Sequence, residues 1–350
     1  MRNIAKIIFG VGFFCLAANA KAQDLHFSQY LETPTSLNPA LVGFSYDARV
    51  IANSRTQWLY AARKSYQTYG VSYDGGTGKK LKGNRFGWGL NLVKDVAGDS
   101  RFSSLLPSAA FSYSTKLDKT SRFGVGFQYG LNYRTIDISN LRWGAQYQNY
   151  EYNPISNNGE TTPRASVLSN DIGVGTHYSY SQSEKYISAK DGTKFDLGFA
   201  AYHFRMPKSS FLTTAERLMT RIIVYGSGEF YIPNMRFALA PNFIYMRQGT
   251  NSAFVTGMMF KYVVVEESKF TTIKKPSAVS FGASYRFRDA IIPAFLWQYD
   301  VYAFGLSYDI NVSQLTPASR LKGGLEIMLR YNLMAGYGKN LGRSDTKASY

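Results

Sequence analysis

Apolar and non-apolar residues alternate with a period of two along most of the chain. In Phe123–Arg134 the odd positions carry Phe123, Val125, Phe127, Tyr129, Leu131 and Tyr133, and the even ones Gly124, Gly126, Gln128, Gly130, Asn132 and Arg134. Successive side chains of a strand point to opposite faces, so one face here is wholly apolar and the other small or polar. A soluble sandwich would carry many charges and few glycines on that second face. Six apolar residues in register cover roughly 35–40 Å at about 3.3 Å per residue, enough to cross a bilayer at a tilt. The pattern recurs: Phe86, Trp88, Leu90 and Leu92 alternate with Gly87, Gly89 and Asn91; Ile172, Val174 and Tyr178 with Gly173, Gly175, His177 and Ser179; Phe281, Ala283, Tyr285 and Phe287 with Gly282, Ser284, Arg286 and Arg288; and Tyr302, Phe304, Leu306, Tyr308 and Ile310 with Ala303, Gly305, Ser307, Asp309 and Asn311.

Fourteen such segments are predicted as strands, near 47–55, 65–74, 85–94, 102–115, 122–134, 168–180, 193–204, 220–230, 234–247, 250–262, 277–287, 291–298, 300–310 and 323–333. The fold class is all-β, a transmembrane antiparallel β-barrel over 47–333. Pro107 and Pro293 fall within strands, where a bulge is the expected accommodation. An even strand number puts both termini on one side, the periplasm for this class. The longest connection, 135–167, then faces outward, as does 205–219, within which 207–219 has room for one helical turn. Fourteen strands tilted about 40° enclose a backbone cylinder roughly 28 Å across, too wide for side chains alone to fill. Water, folded-in loops or the N-terminal segment must occupy the lumen.

Residues 1–22 read as a secretory signal: Arg2 and Lys6 begin it, Ile7–Ala18 form an apolar core too short to span a membrane, and cleavage is expected after Ala22. Cys15 is the only cysteine and lies in this leader, so the mature chain is expected to hold neither disulfides nor thiolate metal sites. Aromatic residues make up 16% and charged residues only 18%, a balance that suits a barrel with aromatic girdles. Loss of the leader takes Arg2, Lys6 and Lys21 off a formal net charge of +17. The remaining bases are scattered through turns and small-residue faces rather than gathered in a patch. Lumen lining and contact with anionic outer-membrane lipid account for them, and nucleic acid is not an expected partner.

Candidate chemistry is thin. His26, His177 and His203 are the available histidines. His177 is expected to face the lumen, and His203 to share the face of Leu197 and Phe199 near an outer edge. No metal-ligand spacing, phosphate loop or nucleophile elbow appears, so no catalytic residue, metal or cofactor is expected. The glycines of 123–134 follow a strict period of two with no helix after them, which marks a strand rather than a dinucleotide fingerprint. Asn157-Asn158-Gly159 reads as a turn, and Glu266-Glu267 with Lys274-Lys275 as a solvated loop.

One stretch says more than a barrel requires. Residues 23–46 are neither alternating nor charged, yet carry Phe27, Tyr30, Leu37 and Leu41, which a disordered leader would not need. This segment is expected to pack in or under the barrel mouth. Gln23-Asp24, His26-Phe27-Ser28-Gln29-Tyr30 and Leu37-Asn38-Pro39-Ala40-Leu41-Val42-Gly43 resemble the opening of the PorP/SprF family, as do Arg55, Gln57 and Trp58 after them. Near the other end, Gly305-Leu306-Ser307-Tyr308-Asp309 and Gly323-Gly324-Leu325-Glu326-Ile327 resemble the family's last two strands, beyond which this chain continues as a polar tail, 334–350, expected in the periplasm.

The resemblance implies an outer-membrane component of the Bacteroidetes type IX secretion system. It would support export or surface attachment of large adhesin-like proteins, of the gliding-motility type, through their C-terminal sorting domains. Implied partners are that adhesin and other type IX or gliding components in the periplasm, with the barrel itself monomeric and without enzymatic activity. The residues expected to contact a partner or plug the lumen are His26, Phe27, Ser28, Gln29, Tyr30, Asn38, Pro39, Ala40, Gly43, Arg55, Gln57 and Trp58. Two rivals remain open: a porin or hydrophobic-solute channel, and a lipid-modifying enzyme built on His177.

Overall fold

A computed structural model of the chain describes residues 24–58, 64–77, 83–98, 100–137, 141–148, 151–157, 165–183, 192–211, 217–233, 235–265, 275–313, 316 and 321–333. The expected signal segment, the tail 334–350, the turn at Asn158-Gly159 and most of the loop at 266–274 lie outside these residues.

Strands form wherever the period of two runs unbroken. They are β1 (Ala48–Gln57), β2 (Tyr66–Gly76), β3 (Arg85–Ala97), β4 (Phe102–Lys116), β5 (Ser121–Thr135), a two-residue pair β6 (Tyr147–Gln148) and β7 (Glu151–Tyr152), then β8 (Ser166–Ser183), β9 (Gly192–Tyr202), β10 (Arg221–Tyr231), β11 (Phe237–Gln248), β12 (Asn251–Val265), β13 (Ser277–Arg286), β14 (Ala290–Tyr299), β15 (Tyr302–Asn311) and β16 (Lys322–Leu333). All but β6 and β7 join antiparallel neighbours into one closed fourteen-stranded barrel, sealed where Ala48 of β1 opposes Leu333 of β16. Closure removes every unpaired sheet edge, the condition for strands to sit in hydrocarbon. No described helix is long and apolar enough to cross a membrane.

Side chains point as the alternation requires. On β3 and β5, Phe86, Trp88, Leu90, Leu92, Phe123, Phe127 and Tyr129 are exposed on the outer wall, while Gln128 and Asn132 are buried inward. The largest cluster of buried apolar side chains lies on one part of the wall, with others such as Ile51, Val93 and Met328 elsewhere. Ala200, Tyr202, Ile223, Tyr225, Ile244 and Val255 from β9 to β12 cluster with Ala290 and Ile292 of β14 and with Tyr30 and Leu37 of the N-terminal segment. The lumen is therefore mainly polar along β3–β5 and mainly apolar along β9–β12.

One local expectation is corrected. The prolines do not create bulges. Pro107 keeps register, with Leu105 opposite Tyr133 and Ser108 opposite Gly130, and the pairing lapses only at the two residues between. Pro293 does the same, between Ile291 opposite Ile310 and Ala294 opposite Ser307. A missing N–H deletes a ladder bond on one side without requiring an extra residue. The helical turn expected within 207–219 falls on 212–216, which lie outside the described residues and are flanked by an antiparallel bridge between Lys208 and Arg217. The long connection 135–167 has structure of its own. A 3-10 turn (Gly144–Gln146) leads into β6, and the buried Gln146 amide accepts from Trp143 N at 3.1 Å and donates to Pro154 O and Ser156 O at 3.4 and 3.3 Å.

Candidate functional site: a segment held inside the barrel

β1 starts and β16 ends at one rim, here the terminal rim; connections such as 135–167 and 203–220 lie at the opposite, loop rim. Residues 24–46 thread the lumen between them. Asp24 meets His203, Arg221 and Gln248 at strand ends on the loop rim, whereas Gly43 meets Asp74 and Val42 meets Ser112 close to the terminal rim. A lumen wider than its own side chains is thus partly occupied by the chain itself.

At the loop rim Asp24 and Asp171 bracket His203. Asp24 bonds the imidazole Nε2, and Asp171 accepts from the His203 backbone N–H at 2.9 Å and lies 2.9 Å from Nδ1. Burial opposes the charged forms of both Asp24 and His203, but their partners win: bonds from Asp171 and then Asp24 raise the His203 imidazole, and His203, with Arg221 and Gln248, holds the Asp24 carboxyl below the usual carboxylate range. This corrects the expected orientation of His203. The residue follows the last strand position of β9 at φ +58°, and this left-handed backbone turns its side chain off the Leu197 and Phe199 face into the lumen, where it is buried.

The next residues meet a cluster of charges. Ser28 N and Gln29 N donate to the two carboxylate oxygens of Glu326 at 2.7 and 3.0 Å, and Ser28 Oγ donates to Asp309 at 2.7 Å. Arg55 pairs with Asp309 at 2.8 Å and also bonds His26 O; Arg286 reaches Asp309 at 3.2 Å and Ser28 Oγ at 2.9 Å. Arg286 also meets the half-exposed Asp289 at 2.9 Å, so each buried guanidinium faces carboxylates, the condition for burying such groups. The His26 ring adds no charge, because burial and the nearby Arg286 and Arg55 cations push its pKa well down. Phe27 is buried beside Gly70, and Tyr30 donates its hydroxyl to Asn242 at 2.6 Å.

Deeper in, Asn38 is fully buried. Its Nδ2 donates to Thr176 O, Phe199 O and Tyr225 Oη at 2.8, 3.2 and 3.3 Å, and its Oδ1 accepts from Ala40 N at 2.9 Å, capping the turn Pro39–Leu41. The Pro39–Ala40 backbone passes so close to Gly126 that a Cβ there would overlap it. This gives the small-residue face of β5 its physical reason. Ser112 Oγ donates to Val42 O at 2.5 Å. Gly43 sits at φ +60°, donates its N–H to Asp74 at 2.8 Å and has no room for a Cβ against Gly75 O, so glycine is required twice over. Asp74 is fixed in turn by a bidentate bond to Arg49 at 2.8 and 2.9 Å. Burying Phe27, Tyr30, Leu37, Val42 and Phe44 contributes on the order of 10 kcal/mol by area transfer, an upper figure.

Of the residues singled out in the sequence, Phe27, Ser28, Gln29, Tyr30, Asn38, Pro39, Ala40, Gly43 and Arg55 come together in this lumenal assembly, and His26 joins it through its carbonyl. Gln57 and Trp58 do not. Gln57 is the last residue of β1, and Trp58, at φ +55°, packs on Tyr66 with ring centres 4.8 Å apart. His177 faces the lumen, with Tyr225 Oη 3.0 Å from Nδ1, Asp196 3.4 Å from Nε2 and Phe44 edge-on at 4.7 Å. The partners Asp74, Arg286, Asp309 and Glu326 went unread. The signal for them was present, since an ionisable residue on a membrane strand is costly and implies a partner inside.

No curated protein matches the sequence. Among solved structures, CymD, a monoaromatic hydrocarbon channel, superposes with a TM-score of 0.46 at 11% identity over 87% of this chain and 93% of that one. A TodX monoaromatic hydrocarbon channel mutant gives 0.42 at 11% identity over 84% and 91%. BamA from Haemophilus ducreyi, lacking POTRA domains 1–3, gives 0.41 at 8% identity over 82% and 70%. The family model described as type IX secretion system membrane protein PorP/SprF matches residues 19–331, from the segment ahead of the plug to the last barrel strand, and the chain therefore belongs to the PorP/SprF family.

Proposed function

We propose that this barrel sits in the outer membrane, contacts lipid through its outer aromatic and aliphatic wall, and supports export or surface attachment of large adhesin-like proteins. It does so by holding their C-terminal sorting domains at the loop rim, while periplasmic type IX or gliding components engage the terminal rim. One observation carries most weight: residues 24–46 occupy the lumen from rim to rim, which favours a closed platform over an open conduit. The structured connection 135–167, with its Gln146-centred bonds, is the surface best suited to receive a folded domain.

The test is deletion of 135–167 in a strain where the barrel still assembles. Release of the adhesin from the surface, or a block in its export, is expected; unchanged surface display removes that loop from the role. A solute-channel reading is favoured by the cavity left beside the plug, and it requires uptake or conductance by the intact purified barrel.

A further inference from the structure

The threaded segment does not fill the lumen completely. A cavity of about 200 Å³ remains in the half nearer the loop rim. One wall is apolar, with Leu37, Ile223, Ile244 and Met246. The other is polar, contributed by β3–β5, with Gln128, Asn132 and Arg134 on β5. Residues 209 and 211 of the connection 203–220 meet its rim: Ser209 Oγ accepts from Arg134 at 2.6 Å, and Phe211 packs on Phe102 with ring centres 5.8 Å apart.

The polar wall is unfinished. Asn132 and Gln128 are 3% and 8% exposed, yet Asn132 Oδ1 and Gln128 Oε1 accept no hydrogen bond, and the Nε of Arg134 donates none. No carboxylate among the described residues pairs with Arg134, in contrast to Arg49, Arg55, Arg286 and Arg330, each of which has one. Buried acceptors without donors each cost about 1–3 kcal/mol, and the half-buried Arg134 makes no ion-pair contact with Asp24, Asp95 or Asp171, although all three line the same cavity. Other buried polar atoms of this lumen also lack partners, Asn53 Nδ2, Ser114 Oγ and Ser307 Oγ among them, but Asn132 and Gln128 line an open cavity, and the groups that would complete them can be read off the wall. They are an N–H donor facing two amide oxygens, a carboxylate facing a guanidinium, and an apolar body facing Ile223, Ile244 and Met246.

We propose that this cavity is a binding site for an acylated apolar amino-acid carboxylate, with its amide N–H on Asn132 and Gln128 and its carboxylate on Arg134. That chemistry is found in a free N-acyl amino acid and at the carboxyl end of a peptide chain. The site goes beyond the secretion role and does not depend on it.

The test is calorimetric titration of the full chain in nanodiscs, since detergent tails could enter the cavity. Saturable binding of N-acetyl-leucine is expected, with N-acetyl-leucinamide weaker by roughly tenfold or more, about 1.4 kcal/mol. Arg134→Gln, in barrels that remain heat-modifiable on gels, should erase that preference, and Asn132→Ala should weaken both probes. A longer acetylated peptide ending in leucine separates the sources: tighter binding than the single residue assigns a chain end, and no binding assigns a free small acid. Equal affinity of the wild-type barrel for acid and amide, or no binding of either by any probe length, overturns the proposal.

Discussion

His203 reaches Asp24 because its backbone adopts a left-handed conformation, so a single φ angle decides whether this contact forms beside those of Arg221 and Gln248. Linkage gives the pH range of that tie. A raised imidazole pKa adds stability that is full below the unfolded value and lost as pH climbs through the folded one; a depressed carboxyl pKa adds stability that is full above the unfolded value and lost as pH falls through the folded one. The latch is therefore at full strength between about pH 4 and 6.5 and loosens on the alkaline side once pH passes the raised value of His203. Amide exchange at residues 24–27 should accelerate there, and His203→Asn, which tolerates the same backbone, should make exchange fast and flat across the range. Asn38 acts through different physics. Its amide satisfies backbone groups of β8 and β9 as well as its own turn, so Asn38→Ala should lower barrel stability by about 1–3 kcal/mol in urea titrations, with Asn38→Asp worse because a buried anion then faces two carbonyls.

Among the elements, the strands were legible because each has one face in hydrocarbon and the other against a backbone or a lumen group. Period two, glycine against aromatic, is the direct imprint of those two environments, and all fourteen barrel strands stand where the alternation places them. The N-terminal segment was legible as something to be packed, from Phe27, Tyr30 and Leu37, but its partners were not. Asp309 and Glu326 lie far along the chain from Ser28, and no local pattern records a contact of that separation. His203 was misplaced because alternation fails at the first residue whose φ turns positive, and the sequence carries no glycine there to announce it. The charge cluster yields a sharper test of how the plug is held. Asp309→Asn leaves Arg55 to Glu326, 3.9 Å away, and Arg286 to the half-exposed Asp289, and should cost about 3–5 kcal/mol, whereas Asp309→Asn combined with Arg55→Gln should cost less than the sum of the two single changes. Strict additivity in that double-mutant cycle would show the pair to be uncoupled. Gly126→Val, which drives a side chain into Pro39–Ala40, should displace the turn, while Phe127→Val on the lipid side of the same strand should not.

For the molecule as a whole, a fourteen-stranded barrel is wide enough to conduct, and what occupies its lumen is a stretch of its own chain rather than only the side chains of its wall. The plug is held by three kinds of contact spaced along the axis: the His203 latch, the Asp309 and Glu326 cluster, and the glycine-lined cradle under Pro39–Ala40. Breaking one should leave the others in place, so single substitutions in any group should give only brief, rare openings. Removing residues 24–43 should convert the barrel into a steadily conducting pore, raising mean conductance in planar bilayers by about tenfold or more over the full chain, as expected for a lumen that side chains cannot fill. Combining His203→Asn with Gly126→Val supplies the same test without a deletion, and its openings should be longer than those of either substitution alone. A full chain that already conducts as strongly as the deletion would mean that residues 24–46 do not seal the lumen, and the closed-platform reading would give way to a channel.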